Sequence, residues 1–252
     1  MNKLMKRAGI TMSVLILLTL SVTAPGEAWS AEPAVSPAAT ETLKRMTDYL
    51  GNQKQFHVKT NNTLEYLLDS GHRVDLDVTA NVLVKRPNMI HSERKGTVVN
   101  QDFYYDGKKV TLYNPAYNVY GSKSAPDTFE SLFMFMYESL GFAVPISDLL
   151  YEDAYPLLMQ DVSMAKVIGI KDINGINCDH LLFSRPGVDF QVWVSQGSKP
   201  LPCKYVVTDT TSQARVSIST LLTDWNLNPD VSANHFTFVP PKGSQEIEFM
   251  PF

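Results

Sequence analysis

The chain has 252 residues, with 22 Lys or Arg against 26 Asp or Glu, so its net charge is −4 when the histidines are neutral. This acidic balance argues against nucleic-acid binding, which needs a basic patch. Hydrophobic residues make up 44% of the chain, and a chain of this length can bury a full core as one domain.

The first 30 residues have the three zones of a secretory signal peptide. Basic residues among the first seven precede the apolar run Ile10–Leu20, and Ala28 and Ser30 supply the small side chains that signal peptidase needs. The alternative is a membrane anchor, but that needs about 20 apolar residues, and this run is roughly half as long. We therefore predict a cleavable signal peptide over 1–30 and export to the periplasm. Because no cysteine lies near the cleavage site, we expect a soluble mature chain that does not span the membrane.

Residues 31–39 are rich in Pro and Ala and predict a flexible tether, which leaves a single domain over 40–252. Thr40 is a candidate N-cap, and the apolar residues that follow at helical spacing predict one amphipathic helix that stops at Gly51.

From Phe56 onwards the hydrophobic period changes to two. Apolar and polar residues alternate over Val74–Val84, which predicts a long strand with one buried and one solvated face, as antiparallel sheets allow. The preceding strand has the same pattern but carries polar Thr60 and Asn62 among its apolar positions. Asp106-Gly107 predicts a hairpin. Further strands are predicted at Met89–Glu93, Gln101–Tyr105, Met164–Ile170, Cys178–Phe183, Val188–Ser195, Lys204–Thr208, Arg215–Thr223 and Phe236–Pro241.

Two helices are predicted between the two sets of strands. The first runs over Thr128–Leu140 after a capping arrangement at Asp127, and the second is a short helix over Ser147–Tyr151, with a break at Tyr155-Pro156. Nine or ten strands against three short helices predict a mainly β fold with some α, a curved antiparallel sheet covered by helices.

The helix over 128–140 is apolar around most of its girth, so it must be buried on most sides. Two interpretations are open: it fills the sheet as ordinary core, or it is a lid over an apolar concave face that the sheet's own side chains do not fill. The candidate cavity and lid residues are Val78, Val82, Phe129, Leu132, Phe133, Met136, Leu140 and Phe142.

Motifs of enzyme chemistry are missing from the sequence. It has no G-x-S-x-G elbow, no H-E-x-x-H, no glycine-rich phosphate loop and no C-x-x-C. The five histidines are scattered, so we expect no catalytic residues, no metal and no cofactor.

Cys178 and Cys203 are separated by the strand Val188–Ser195, which they flank in a simple meander. Their strands would then be about twice 4.8 Å apart, beyond the roughly 7 Å between Cα atoms that a disulfide allows. Both residues lie at the same end of the meander, however, where the flanking strands can converge. A disulfide therefore remains an open alternative to two separate thiols.

Three blocks of the sequence carry a family resemblance: Val84–Asn88, the hairpin region from Asp106 to Pro115, and Phe236–Gly243. Together they resemble the periplasmic lipoprotein carrier family LolA. The resemblance implies an unclosed antiparallel barrel covered by helices, with an apolar cavity that receives acyl chains. It also implies that Arg86 holds the lid shut, against the alternative of an ordinary cation at a strand end.

The segments Ser147–Tyr151 and Lys199–Pro202 resemble the predicted periplasmic proteins of domain-of-unknown-function family 2092, in the same superfamily. The function implied is a monomeric carrier or binder of lipid or acylated protein. The alternatives are an envelope interaction or sensor module with a filled cavity, which would bind a protein partner, and an envelope hydrolase, which would need a Ser or Asp close to a His in the cavity.

Overall fold

The computed structural model describes residues 34–97, 99–140, 144 and 146–248, without the side chain of Leu140. The predicted signal peptide and Phe142 lie outside these residues. Within them, twelve strands form one curved, unclosed sheet. The strands are β1 (Gln55–Leu67), β2 (Arg73–Lys85), β3 (Met89–Gly96), β4 (Asn100–Tyr105), β5 (Lys109–Asn114), β6 (Val119–Ser124), β7 (Met164–Ile173), β8 (Ile176–Arg185), β9 (Val188–Ser195), β10 (Pro202–Asp209), β11 (Ser217–Asn226) and β12 (Gln245–Glu246).

The sheet consists of two meanders joined by β1 and β11. The strand order is β12-β6-β5-β4-β3-β2-β1-β11-β10-β9-β8-β7, antiparallel except for the short β12, which pairs in parallel with β6. This confirms the predicted mainly β class and the curved antiparallel sheet. On β2, Val78, Ala80, Val82 and Val84 are buried and the residues between them are more exposed, as the period of two predicts.

The hairpin at Asp106-Gly107 is confirmed between β4 and β5. The Asp106 carboxylate accepts hydrogen bonds from the backbone N–H groups of Lys108 and Lys109 at 3.0 and 2.9 Å. Gly107 has a φ of 90°, a conformation that favours glycine because it has no Cβ.

In the described residues, four α-helices accompany the sheet: α1 (Pro37–Gly51), α2 (Phe129–Leu140), α3 (Ser147–Leu150) and α4 (Ala154–Met159). In α1, Leu43, Met46 and Leu50 are buried, and the helix packs on β7, β8 and β9. It starts three residues before the predicted N-cap because Pro37 fits the first helical turn, where its missing N–H costs nothing. Thr40 instead donates its hydroxyl to the carbonyl of Pro37.

The tether predicted over 31–39 is wrong in its second half. Val35 forms a parallel bridge with Ala165, and the backbone N–H of Ser36 donates to the carbonyl of Ala165 at 2.9 Å. The chain is therefore bound to the start of β7 before α1 begins.

Two further predictions of secondary structure are wrong. The break predicted at Tyr155-Pro156 lies inside α4, because Pro156 occupies the first turn, where backbone N–H groups have no helical partner. The strand predicted over Phe236–Pro241 is a 3-10 helix, Ala233–Phe236, followed by irregular chain. Its two prolines have no N–H for a ladder, and Phe238 packs instead on Tyr104, Tyr113 and Tyr120.

Candidate functional site

A cavity of about 320 Å³ lies between the concave face of the sheet and the helices. This volume falls at the lower end of the range of about 300–1,000 Å³ that is usual for small-molecule sites. The sheet contributes the wall through β1, β2, β3, β4 and β11, and described residues of α2, of α3 and of positions 144 and 146 contribute the cover. The lining residues are Thr60, Asn62, Leu64, Val78, Ala80, Val82, Ile90, Ser92, Arg94, Phe103, Phe133, Val144, Ile146, Leu150 and Ile218.

Aromatic and aliphatic side chains form the cover. Phe133 projects from α2 and packs edge-on against Tyr151, with ring centroids 5.8 Å apart, and stacks on Phe129 at 5.9 Å. Leu150, at the end of α3, completes this side. The covered end of the cavity is therefore apolar and suited to hydrocarbon.

Hydrogen bonds of one buried polar side chain, Asn62, connect three strands at the cavity wall. The Asn62 side-chain amide donates to Thr60 Oγ1 at 2.9 Å and to the carbonyl of Val78 at 3.1 Å, and Asn62 Oδ1 accepts from Thr220 Oγ1 at 2.8 Å. Each polar atom of the Asn62 amide thus has a partner within the sheet, which removes the cost of burying it and fixes β1 against β2 and β11.

Exposure rises along β1 towards the β1–β2 turn, so this end of the concave face is the open one. Val58 is 0% exposed, Asn62 is 6% exposed and Tyr66 is 55% exposed. Leu64 and Ile218, which are paired across β1 and β11, line the cavity on this side and are half-buried.

Arg86, at the end of β2, joins the sheet to the cover. Its guanidinium donates to the carbonyls of Leu150 at 2.5 Å and Tyr151 at 3.4 Å, at the C-terminal end of α3, and to the carbonyl of Gln53 at 3.1 Å. Burial lowers the pKa of Arg86, and nearby Glu152 and Glu130 act in the opposite direction. The Arg86 side chain therefore links the end of β2 to the C-terminal end of α3.

A second contact ties α3 to the sheet. The Tyr205 hydroxyl, on β10, donates to the Asp148 carboxylate at 3.2 Å. Burial raises the pKa of Asp148, against the opposing effects of this hydrogen bond and of Arg185.

The predicted cavity residues divide into two groups. Val78, Val82 and Phe133 line the cavity. Phe129, Leu132 and Met136 are buried in the hydrophobic core and do not line the cavity. The Leu140 side chain and Phe142 lie outside the described residues. Sequence reasoning missed Arg94 and Ser92 on β3, and also Ile90 and Phe103. The signal for Arg94 was its parity with Ile90 and Ser92 on one strand.

The cysteines lie outside the main core, in a small cluster with Trp193. Cys178 pairs with Ser195 near the end of β9, and Cys203 lies where the register of β10 shifts between Pro202 and Lys204. Their Sγ atoms are 2.6 Å apart, and both residues are thiols. Burial raises the pKa of both groups, which leaves little reactive thiolate at neutral pH.

We expect these two thiols to form a disulfide when the chain is produced in an oxidising compartment. Reduction should then lower the free energy of unfolding by about 3.5 kcal/mol, the contribution of loop-closure entropy that is expected for cysteines 25 residues apart. The measurement is chemical denaturation with and without dithiothreitol, and a variant with Cys178→Ser and Cys203→Ser should not respond to the reductant. Alkylation of both cysteines in unreduced, denatured protein would contradict the expectation.

In the part of the chain that the structure describes, few side chains at the cavity are of the types that catalysis or metal binding uses. The described lining includes one serine, Ser92, and no histidine or aspartate. No group of three His, Cys, Asp or Glu side chains in the described ranges could hold a metal ion. Among the described helices, none is long and apolar enough to cross a membrane.

The fold defines the class of protein: a curved, unclosed antiparallel sheet with helices over its concave face. The chain belongs to the family described as "Predicted periplasmic protein (DUF2092)", whose profile matches residues 39–250, and this confirms the resemblance to that family. A comparison with functionally curated proteins found no match.

Several solved structures are similar in fold. An uncharacterised conserved protein from Thermus thermophilus has 11% identity and a TM-score of 0.49, over 84% of this chain and 99% of that chain. Lipoprotein LppX of Mycobacterium tuberculosis has 14% identity and a TM-score of 0.44, over 78% and 99%. A LolA superfamily protein from Nitrosomonas europaea has 12% identity and a TM-score of 0.40, over 79% and 97%. Likeness at this level concerns the path of the chain and carries no argument about function.

Proposed function

We propose that this chain is a periplasmic carrier or binder of lipid or lipid-modified protein, and that it holds acyl chains between the curved sheet and the helices. The observation that carries the proposal is the cavity of about 320 Å³, lined mainly by aliphatic and aromatic side chains. Acyl burial there would contribute about 0.8 kcal/mol per methylene group without any cofactor.

The connection of the cover to the sheet supports the carrier role. The cover meets β2 through Arg86 and meets β10 through Tyr205, so polar contacts hold it to the sheet at two places. In this proposal α2 and α3 act as a lid and Arg86 as its latch. The family description supports a periplasmic location, which the proposed signal peptide would provide.

A neutral fluorescent probe tests the proposal directly. N-phenylnaphthylamine is apolar and fluoresces more strongly out of water, so titration into purified protein should give saturable binding that dodecanol displaces. Binding should depend on the cavity and not on the exposed apolar side chains of the surface, such as Tyr117, which is 78% exposed. A Tyr117→Ser variant should therefore bind the probe normally, and absence of saturable binding to the wild-type protein would contradict the proposal.

A further inference from the structure

Arg94 places a positive charge on the cavity wall. It lies on β3, two residues beyond Ser92, and its neighbours in register are Ala80 on β2 and Gln101 on β4. Of the described residues that line the cavity, Arg94 is the only one with a formal charge. We propose that the ligand is an acyl chain that ends in an oxyanion, and that Arg94 binds this oxyanion. The inference rests on the proposed function and specifies its ligand class.

The position of Arg94 along its strand matches the shape of an amphiphile. On β3, Ile90 is 3% exposed and Ser92 is 8% exposed, Arg94 is half-buried, and Gly96 is exposed. The charge therefore lies at the boundary between the enclosed part of the cavity and its open end. An acyl chain that ran from Arg94 towards Ile90 and Phe133 would be buried, and its head group would remain near solvent.

The chemistry of the side chain favours an oxyanion over a neutral head group. Burial lowers the pKa of Arg94, and a guanidinium remains protonated in proteins, so its charge is partly desolvated. A carboxylate or phosphate offsets that desolvation and matches the planar guanidinium through two parallel hydrogen bonds. Arg94 also interacts within the protein. A guanidinium has five N–H donors, which allows a protein contact and a ligand contact together.

The Asn62 amide, another polar group of the wall, is committed to the sheet. The Asn62 amide donates to Thr60 and to the carbonyl of Val78 and accepts from Thr220. Among these residues, recognition of a charged head group thus depends on Arg94. The Ser92 hydroxyl, on the same face of β3, is next to it towards the enclosed end.

The experiment compares ligands that share one chain and differ in the head group. Dodecanoate, dodecyl phosphate and dodecanol are titrated against protein loaded with N-phenylnaphthylamine. We expect at least one of the two anions to displace the probe at concentrations about tenfold or more below those of dodecanol, because hydrogen bonds to charged groups are the stronger ones. The relative strength of the two anions distinguishes a fatty-acid carboxylate from a lipid phosphate.

Variants of Arg94 test whether this side chain causes the preference for anions over dodecanol. Arg94→Met should bring the anion and alcohol concentrations to within about twofold of each other, and Arg94→Lys should retain part of the preference because it keeps the charge. Lys95→Met is the matched control, since Lys95 is the next residue on β3 and is exposed; it should keep the full preference. If Arg94→Met does not fold, the comparison of ligands on the wild-type protein and on Arg94→Lys decides.

The outcomes separate this inference from the function on which it rests. Equal displacement by dodecanol and by both anions from wild-type protein would overturn the anionic head group and leave an acyl-binding cavity. A preference for anions that persists in folded Arg94→Met would also overturn the role of Arg94. If neither the probe nor any dodecyl ligand binds, the proposed function fails as well.

Discussion

Replacement of Ala80 by phenylalanine should abolish acyl binding without unfolding the protein. Ala80 is 7% exposed, lies between Thr60 and Arg94 in register, and lines the cavity. A phenyl group at this position would occupy space that the acyl chain needs. We expect the affinity for N-phenylnaphthylamine and for dodecanoate to fall at least tenfold, a loss of about 1.4 kcal/mol or more.

The thermal stability of Ala80→Phe distinguishes occlusion of the cavity from loss of the fold. Because the added ring enters an existing cavity, its burial should leave the thermal midpoint unchanged or raise it. Asn81→Phe is the matched control: it adds the same group to the same strand on the outer face, where Asn81 is exposed. Wild-type affinity in folded Ala80→Phe would show that ligands bind elsewhere.

Replacement of Arg86 by methionine should destabilise the cover and release ligand faster. The variant removes three hydrogen bonds, to the carbonyls of Gln53, Leu150 and Tyr151. A hydrogen bond contributes a net of about 0.5–1.5 kcal/mol, so we expect the loss of three to lower the free energy of unfolding by roughly 2–4 kcal/mol. Because two of the carbonyls lie at the end of α3, we expect the proposed lid also to open more often.

Stopped-flow release of N-phenylnaphthylamine measures the second effect. We expect a release rate at least about tenfold faster in Arg86→Met, equivalent to about 1.4 kcal/mol in the barrier. Lys85→Met is the control, since it removes a positive charge from the last residue of β2, on the face opposite that of buried Val84. If both variants release the probe at the wild-type rate, Arg86 is an ordinary cation at a strand end and not a latch.

The sheet could be predicted from the sequence because the patterns that specify its strands and turns lie within short segments of the chain. Alternation over Val74–Val84 identifies both the strand and its buried face, and Asp106-Gly107 identifies a turn through backbone geometry. The strand β6 was missed because Val119–Ser124 is short and largely polar, without the alternation that marks β2. The prediction of the last strand was wrong because Phe238 packs on three tyrosines, one each from β4, β5 and β6.

The site depends on contacts between residues that are distant in sequence, and these have no local signal. Asn62 and Thr220 are 158 positions apart, yet they share a hydrogen bond at the wall. On α2, the apolar girth predicts burial but not which side chain meets the cavity: Phe133 does, whereas Leu132 and Met136 pack into the core. Arg94 was missed because the predicted strand ended at Glu93, one residue before Arg94, whereas β3 continues to Gly96.

The central claim is that acyl chains occupy the space between sheet and helices, and native mass spectrometry of protein purified without detergent tests it most directly. We expect a population with additional mass that corresponds to one bound acyl lipid, dissociates on collisional activation and is absent from folded Ala80→Phe. Protein that shows only the mass of the unliganded chain, and that takes up no dodecanoate when it is offered, would contradict the claim.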